Sequence, residues 1–264
     1  MSFVRVNVKP DTLDDENRKF VQRPLTQPLF LNSVPKSGSH LLRNIIRMFV
    51  PVESQYQAEF IQHHFIQHHL SAFDPGRNML SWGHLFHMDR FRALLAGVRH
   101  VVLVRDPYDW ALAQARFINS NEFQVPGLDA YKKPDVSIEA LLNLVIEGIK
   151  PQLAPLAITY HYNAVLWLQA GSPLVRYEEL VGALRNLDSD ESEAYFSALL
   201  QTCGIDRPDD WRERVRIGSD RKQSGTAREN LTGVAAKIPS QLPDPQKRMV
   251  DASYPGLRDL LGYA

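Results

Sequence analysis

A single cysteine, Cys203, is all the thiol this 264-residue chain has. No internal disulfide framework can form, and the chain reads as one kept in a reducing compartment, the cytoplasm. It has no surplus charge either, with 30 Lys and Arg against 30 Asp and Glu. A general attraction to nucleic acid or to an anionic membrane is therefore not supported, and any anion site must be local. Long hydrophobic runs are missing, since no stretch approaches the roughly 20 apolar residues that span a bilayer. Residues 1–23 mix charges throughout and form no apolar signal core. Also absent is the Gly-x-x-x-x-Gly-Lys-Ser/Thr loop of nucleotide triphosphatases.

What is present is an ordinary globular composition, 44% apolar and 23% charged, in a chain long enough for one α/β domain with a full core. Residues 1–27 are polar and read as an arm over a domain spanning 28–264. Leu29-Phe30-Leu31 is a short apolar strand, and beyond it Leu41, Leu42, Ile45, Ile46 and Phe49 recur at the spacing of an amphipathic helix. Between them lies Pro35-Lys36-Ser37-Gly38-Ser39-His40. A strand feeding a helix through such a turn points free N–H groups and the positive end of the helix dipole at one spot, which suits a phosphate or sulfate. An ordinary strand–turn–helix is the plainer alternative.

Farther on, Phe60-Ile61-Gln62-His63-His64 is repeated as Phe65-Ile66-Gln67-His68-His69. Written as a helix, this puts His64 and His68 on one face, a two-histidine edge that lacks a suitably spaced third metal ligand, so no metal is expected. Asn78–Trp82 is a short strand ending at Gly83-His84, and Met88–Ala96 is helical. The β-branched run His100–Val104 is a strand buried on both faces, hence part of a parallel sheet, and it stops abruptly at Arg105-Asp106-Pro107. Open α/β sheets bind ligands where such strands end. Helices are expected over 108–118, 137–149 and 153–170, then a strand at Leu174–Tyr177 and a basic loop carrying Arg212, Arg214, Arg216, Arg221 and Lys222. Strands alternating with helices predict a single α/β domain with a mostly parallel sheet flanked by helices and insertions at about 50–80 and 117–160.

Taken in order, these segments resemble the sulfotransferase family that uses 3′-phosphoadenosine 5′-phosphosulfate. Pro35-Lys36-Ser37-Gly38-Ser39 is similar to that family's Pro-Lys-Ser-Gly-Thr loop. Val104-Arg105-Asp106-Pro107 with Asp109 is similar to its Arg-Asn/Asp-Pro-x-Asp segment, and Arg176-Tyr177-Glu178-Glu179-Leu180 to its Tyr-Glu-Asp-Leu segment. Arg221-Lys222, followed by Gly225 and Asn230-Leu231-Thr232, resembles its Arg-Lys-Gly loop. Coverage runs from about residue 28 to 235, and the motifs are specific in this order rather than singly.

The resemblance implies a P-loop-like strand–loop–helix that holds the donor's 5′-phosphosulfate with Lys36, Ser37, Gly38, Ser39 and His40. Lys36 would stabilise charge on the bridging oxygen. Arg105 would grip the 3′-phosphate, with Arg221 and Lys222 closing over it; a surface ion pair and a solvated basic loop are the alternatives. His84, 21 residues before Arg105, is the candidate general base for an acceptor hydroxyl, with His40 and His87 as rivals.

The chain departs from the family's pattern at four places. Trp82 stands where a second lysine would precede the histidine by two residues. Ala113 stands where a phosphate-binding serine would follow Arg105 by eight, with Gln114 beside it. Leu41 replaces an adenine-stacking aromatic, leaving that role to Tyr177, and Gln223 interrupts the Arg-Lys-Gly loop. The expected activity is sulfonate transfer to the hydroxyl of a small-molecule acceptor, without metal, nucleic acid or membrane. Phe60, Phe65, Phe117, Phe123, Tyr131 and Tyr160 suggest an aromatic, apolar acceptor pocket. A nucleotide or small-molecule kinase and a non-catalytic nucleotide-binding protein are the alternatives, and nothing in the sequence indicates an oligomeric state.

Overall fold

The computed structural model describes residues 5–6, 10–57, 60–120, 123–124, 128, 136–224 and 237–263. Along the chain, β1 (Arg5–Val6) and α1 (Leu13–Asn17) precede β2 (Leu29–Ser33), α2 (Ser39–Arg47), β3 (Ile61–Gln62) and β4 (Leu80–His84). Next come α3 (Asp89–Leu94), β5 (Arg99–Val104), α4 (Pro107–Ile118), β6 (Phe123–Gln124) and α5 (Ile138–Glu147). α6 (Leu156–Tyr160) and α7 (Leu166–Gln169) lead to β7 (Leu174–Arg176). The rest is helical: α8 (Tyr177–Arg185), α9 (Asp190–Thr202), α10 (Trp211–Ser219), α11 (Asp244–Ser253) and α12 (Leu257–Leu260).

The fold is α/β. Its main sheet has five parallel strands in the order β3-β4-β2-β5-β7. β2 and β5 are inner strands buried on both faces, which is why their sequences read as unbroken apolar runs. The chain leaves β2 toward the β3–β4 edge and returns on the other side through β5, so the carboxyl end of β2 is a topological switch point, where open sheets bind ligands.

The chain divides into two compact units. One comprises Pro10–Val104 and Tyr162–Gly225 and contains the five-stranded sheet; the other comprises Met1–Lys9, Arg105–His161 and Thr226–Ala264. In the sheet-bearing unit, α2 lays Leu42, Ile45 and Ile46 onto Leu29, Leu31, Val101 and Leu103, and Phe196, Leu200, Trp211 and Val215 extend the same core. The segment before β2 joins it through Leu13 and Leu25. Asn17 there donates to the carbonyls of Arg47 and Val50, and Arg47 is paired with Asp11 at 2.8 Å and Asp14 at 2.6 Å. In the other unit α4, α5, α6 and α11 pack together, with the rings of Trp110 and Tyr160 meeting edge to face at 5.7 Å.

Two expectations require correction. The histidine repeat is not a helix: Ile61–Gln62 is an edge strand paired to Gly83-His84, residues 63–65 turn, and a 3₁₀ segment, Ile66–Phe73, follows. His64 and His68 therefore share no helical face, and among the described residues no cluster of three or more His, Cys, Asp or Glu is arranged to hold a metal. Nor do Arg212, Arg214 and Arg216 belong to a loop. They lie on α10 and are spent on ion pairs with Glu193, Asp210 and Asp188. A π-turn, His161–Val165, separates α6 from α7 where the sequence reads as one helix.

Candidate active site

Lys36 and Gly38 both turn left-handed, at φ 65° and 94°. For a lysine this costs on the order of 1 kcal/mol, and Gly38 adopts it freely because it lacks Cβ. A Cβ on Gly38 would also lie 2.5 Å from the Tyr177 ring, so the first residue of α8 packs against the loop. The loop opens into α2 with no side chain capping its first N–H groups. Ser37 is wholly buried and its Oγ has no hydrogen-bond partner among the described residues, while Ser39 Oγ lies 2.7 Å from Ser33 Oγ. The buried Ser37 hydroxyl beside the uncapped head of a nine-residue helix forms a cradle for an anion.

His84 closes this cradle. It ends β4 beside Ser33, the end of β2, and its Nδ1 lies 2.8 Å from the Ser33 carbonyl and 3.1 Å from Ser33 Oγ. A carbonyl can only accept, so Nδ1 carries the proton and Nε2 keeps its lone pair. Asn163 of the π-turn donates to the same carbonyl at 2.8 Å. On the opposite sheet face, Asn32 receives the Leu85 N–H and donates to the Leu85 carbonyl, which fixes the chain just past His84. Burial, and then the nearby Lys36 ammonium, push the His84 imidazole down to about 4. It is therefore neutral at physiological pH, as a base must be.

The rivals sort by position. His40 meets the edge of Trp82 at 4.9 Å, whereas His87 packs on Trp167, which also touches His100 on the sheet face away from α2. Trp82 lies two residues before His84 on the same strand face, between Arg43 at 4.8 Å and Phe60 at 5.5 Å. Phe60 also contacts His84 at 5.3 Å, so this member of the expected acceptor set meets the candidate base. Tyr160, by contrast, is a core residue with no exposure, its hydroxyl bonded to the Arg105 carbonyl at 2.7 Å; Phe117 is likewise buried. Phe65 is half exposed. Tyr131, the Phe123 side chain, Gly225 and Asn230-Leu231-Thr232 lie outside the described residues.

Arg221 and Lys222 occupy an exposed 3₁₀ turn, Arg221–Gln223. That turn is tied to α2 by Asn44, which donates to the Gln223 carbonyl at 3.0 Å, and to Thr12 through the Gln223 amide. Gln223, which breaks the expected Arg-Lys-Gly pattern, thus anchors the turn. Arg105 follows Val104, the last residue of β5, and belongs to the unit that does not contain the five-stranded sheet. There Asp106 caps α4 and pairs with Arg258, while Ala113 is half-buried on α4 and Gln114 is fully buried. Sequence reasoning passed over Asn32, Ser33 and Asn163, the residues that hold the histidine. Polar side chains at the end of a buried strand were the available signal for the first two.

No family model and no curated protein matches the chain. Among solved structures, a mouse sulfotransferase, SULT7A1 complexed with PAP, superposes with a TM-score of 0.59 at 16% identity, over 93% of this chain and 88% of that one. A sulfotransferase domain from the curacin biosynthetic pathway aligns over 87% of this chain and 98% of that one at 14% identity, with a TM-score of only 0.33. The first of these shows that the chain has the fold of a sulfotransferase.

Proposed function

We propose that this protein is a sulfotransferase that moves a sulfonate group from 3′-phosphoadenosine 5′-phosphosulfate to a hydroxyl of a small-molecule acceptor. The observation that carries this proposal is the junction at Ser33, where the Lys36 loop and a neutral His84 with an open Nε2 meet at the switch point of the sheet. The residues fit an anionic donor: the buried Ser37 hydroxyl and the uncapped head of α2 are donors in need of an acceptor. When bound, the donor supplies an activated sulfonate. Lys36 would offset the charge that builds on the donor's bridging oxygen. His84 Nε2 takes the proton of the acceptor hydroxyl, and Phe60 and Trp82 offer the acceptor an aromatic wall.

On the donor's other end we assign the 3′-phosphate to Arg105, with Arg221 and Lys222 as covering cations. A cytoplasmic setting suits the single thiol, which is buried and pushed up to about 12. No helix among the described residues is long and apolar enough to cross a membrane.

The test is a transfer assay with radiolabelled phosphosulfate donor against pools of phenols, lipid alcohols and sugars, run beside ATP with Mg²⁺. Label transfer from the sulfate donor supports the proposal. Turnover with ATP alone would make the protein a kinase, and nucleotide binding without any transfer would make it a binding protein.

A further inference from the structure

The flank of α2 that faces the β3 edge of the sheet carries a charge that the Lys36 loop does not use. His40, Arg43 and Arg47 fall at i, i+3 and i+7 on this helix, which places them on one face. Arg47, at the far end, is buried and bonded to Asp11, Asp14 and Gln55. Arg43, one turn nearer the loop, makes no ion pair and no hydrogen bond among the described residues. Its guanidinium lies over the Trp82 ring, 4.8 Å from the centroid.

Trp82 in turn meets the edge of His40 at 4.9 Å and Phe60 at 5.5 Å, and Phe60 meets His84 at 5.3 Å. These contacts join Arg43 to the candidate base through two aromatic rings, all within the sheet-bearing unit. His40, Arg43, Phe60 and Trp82 are each half-buried, so the flank is partly open to solvent. The ring attracts the cation through its face but leaves the guanidinium N–H donors without an oxygen acceptor. Burial, and then the charge of Arg47, push the Arg43 pKa down to about 10. Asp11 and Asp14 oppose this from farther off, and both carboxylates are already bonded to Arg47. A carboxylate brought to this flank would give the guanidinium fork two oxygens and an opposite charge.

We propose that Arg43 selects the acceptor by pairing with a carboxylate on a hydroxylated aromatic molecule. The ring of that molecule lies along Phe60 and Trp82, and its hydroxyl reaches His84. The proposal rests on the sulfotransferase reading and names an acceptor class for it. Trp82 and His84 stand two residues apart, roughly 7 Å along the strand, the length of one phenol ring with a short acidic side chain. The contrary possibility is that Arg43 only braces Trp82 against α2.

The experiment measures transfer from the labelled phosphosulfate donor to 4-hydroxyphenylacetate and to its methyl ester, for the wild type, Arg43→Gln and Arg43→Lys. Both acceptors carry the same ring and hydroxyl, so the ratio of their kcat/KM values isolates the carboxylate. The wild type is expected to favour the acid by about 10- to 100-fold, the value of a charged hydrogen-bond pair. Arg43→Gln should erase that preference, and Arg43→Lys, which keeps the charge but not the fork, should retain part of it. A wild type without the preference would overturn the inference. Equal losses for acid and ester in Arg43→Gln would also overturn it and make Arg43 a brace for Trp82. Transfer to lipid alcohols or sugars but to neither phenol would sink the acceptor class and leave the sulfotransferase reading standing. No transfer to any acceptor would sink both. Because the readout is a ratio taken on one sample, loss of folded protein does not imitate the expected result.

Discussion

Lys36 holds a left-handed backbone that a glycine would adopt at no cost, so its side chain, not its backbone, justifies its place. If its ammonium meets charge that appears only as the sulfur–oxygen bond breaks, Lys36→Ala should lower kcat by about 100- to 1,000-fold, the worth of one such group. Affinity for 3′-phosphoadenosine 5′-phosphate should fall far less. Single-turnover rates and calorimetry separate the two, and an unchanged rate would remove Lys36 from the chemistry. His84 admits a sharper substitution. Asn preserves a donor where Nδ1 now meets the Ser33 carbonyl and deletes Nε2. His84→Asn should keep the nucleotide affinity and lose about 100- to 10,000-fold in kcat. Since His84 in the free protein lies near 4, activity that needs its neutral form should persist well below pH 6.5. The acid limb of kcat/KM should fall near pH 4, and a limb at pH 6.5 would assign the base to another histidine.

At the scale of elements, the site depends on one close approach and one buried charge. A Cβ on Gly83 would lie 2.0 Å from the Ile61 carbonyl, so only glycine lets β3 and β4 pair beside His84. Arg47, 4% exposed, fastens α2 to Asp11 and Asp14 and also donates to Gln55 at 2.9 Å. Removing it strands two acids and breaks a buried pair, so Arg47→Ala should cost about 3–5 kcal/mol in denaturant unfolding. A loss below about 1 kcal/mol would show that water replaces the guanidinium. The elements read well from the sequence wherever burial made them uniform: β2, α2 and β5 announce themselves as runs or stripes of apolar residues. The histidine repeat did not, because a five-residue period matches neither helix nor strand, and pairing with Gly83 decides the outcome for Ile61. The arginines of α10 misled for a different reason. Their partners Glu193 and Asp188 lie on or beside α9, distant enough in sequence to be invisible locally.

For the whole molecule, the chemistry-bearing residues were readable as motifs, whereas their supports were not. Ser33, Asn32 and Asn163 act through carbonyl and amide geometry that exists only once β2, β4 and the π-turn are assembled. Assembly also buries titratable groups, and this sets how the protein responds to acid. His100, stacked on Phe30 and bonded to Ser172, is pushed down to about 3, and His84 to about 4, both by burial first. Unfolded, each titrates near the ordinary histidine value of 6.5. Above that pH both states are neutral and neither residue makes stability pH-dependent. Below it the unfolded chain takes up protons that the native protein refuses, so stability must decline from about pH 6.5 toward 4. Asp11, its pKa lowered because Arg47 outweighs burial, adds a further loss only below about the ordinary carboxylate value of 3.8. Thermal unfolding should accordingly show a level Tm from pH 8 to 7 and a steady fall beneath 6.5. His100→Asn, which keeps a partner for Ser172 but cannot be charged, should flatten that fall by several degrees at pH 5 relative to wild type. A Tm constant through this range, or an equal slope in the variant, would show that the interior accepts an imidazolium and that burial at His100 is not what holds it neutral.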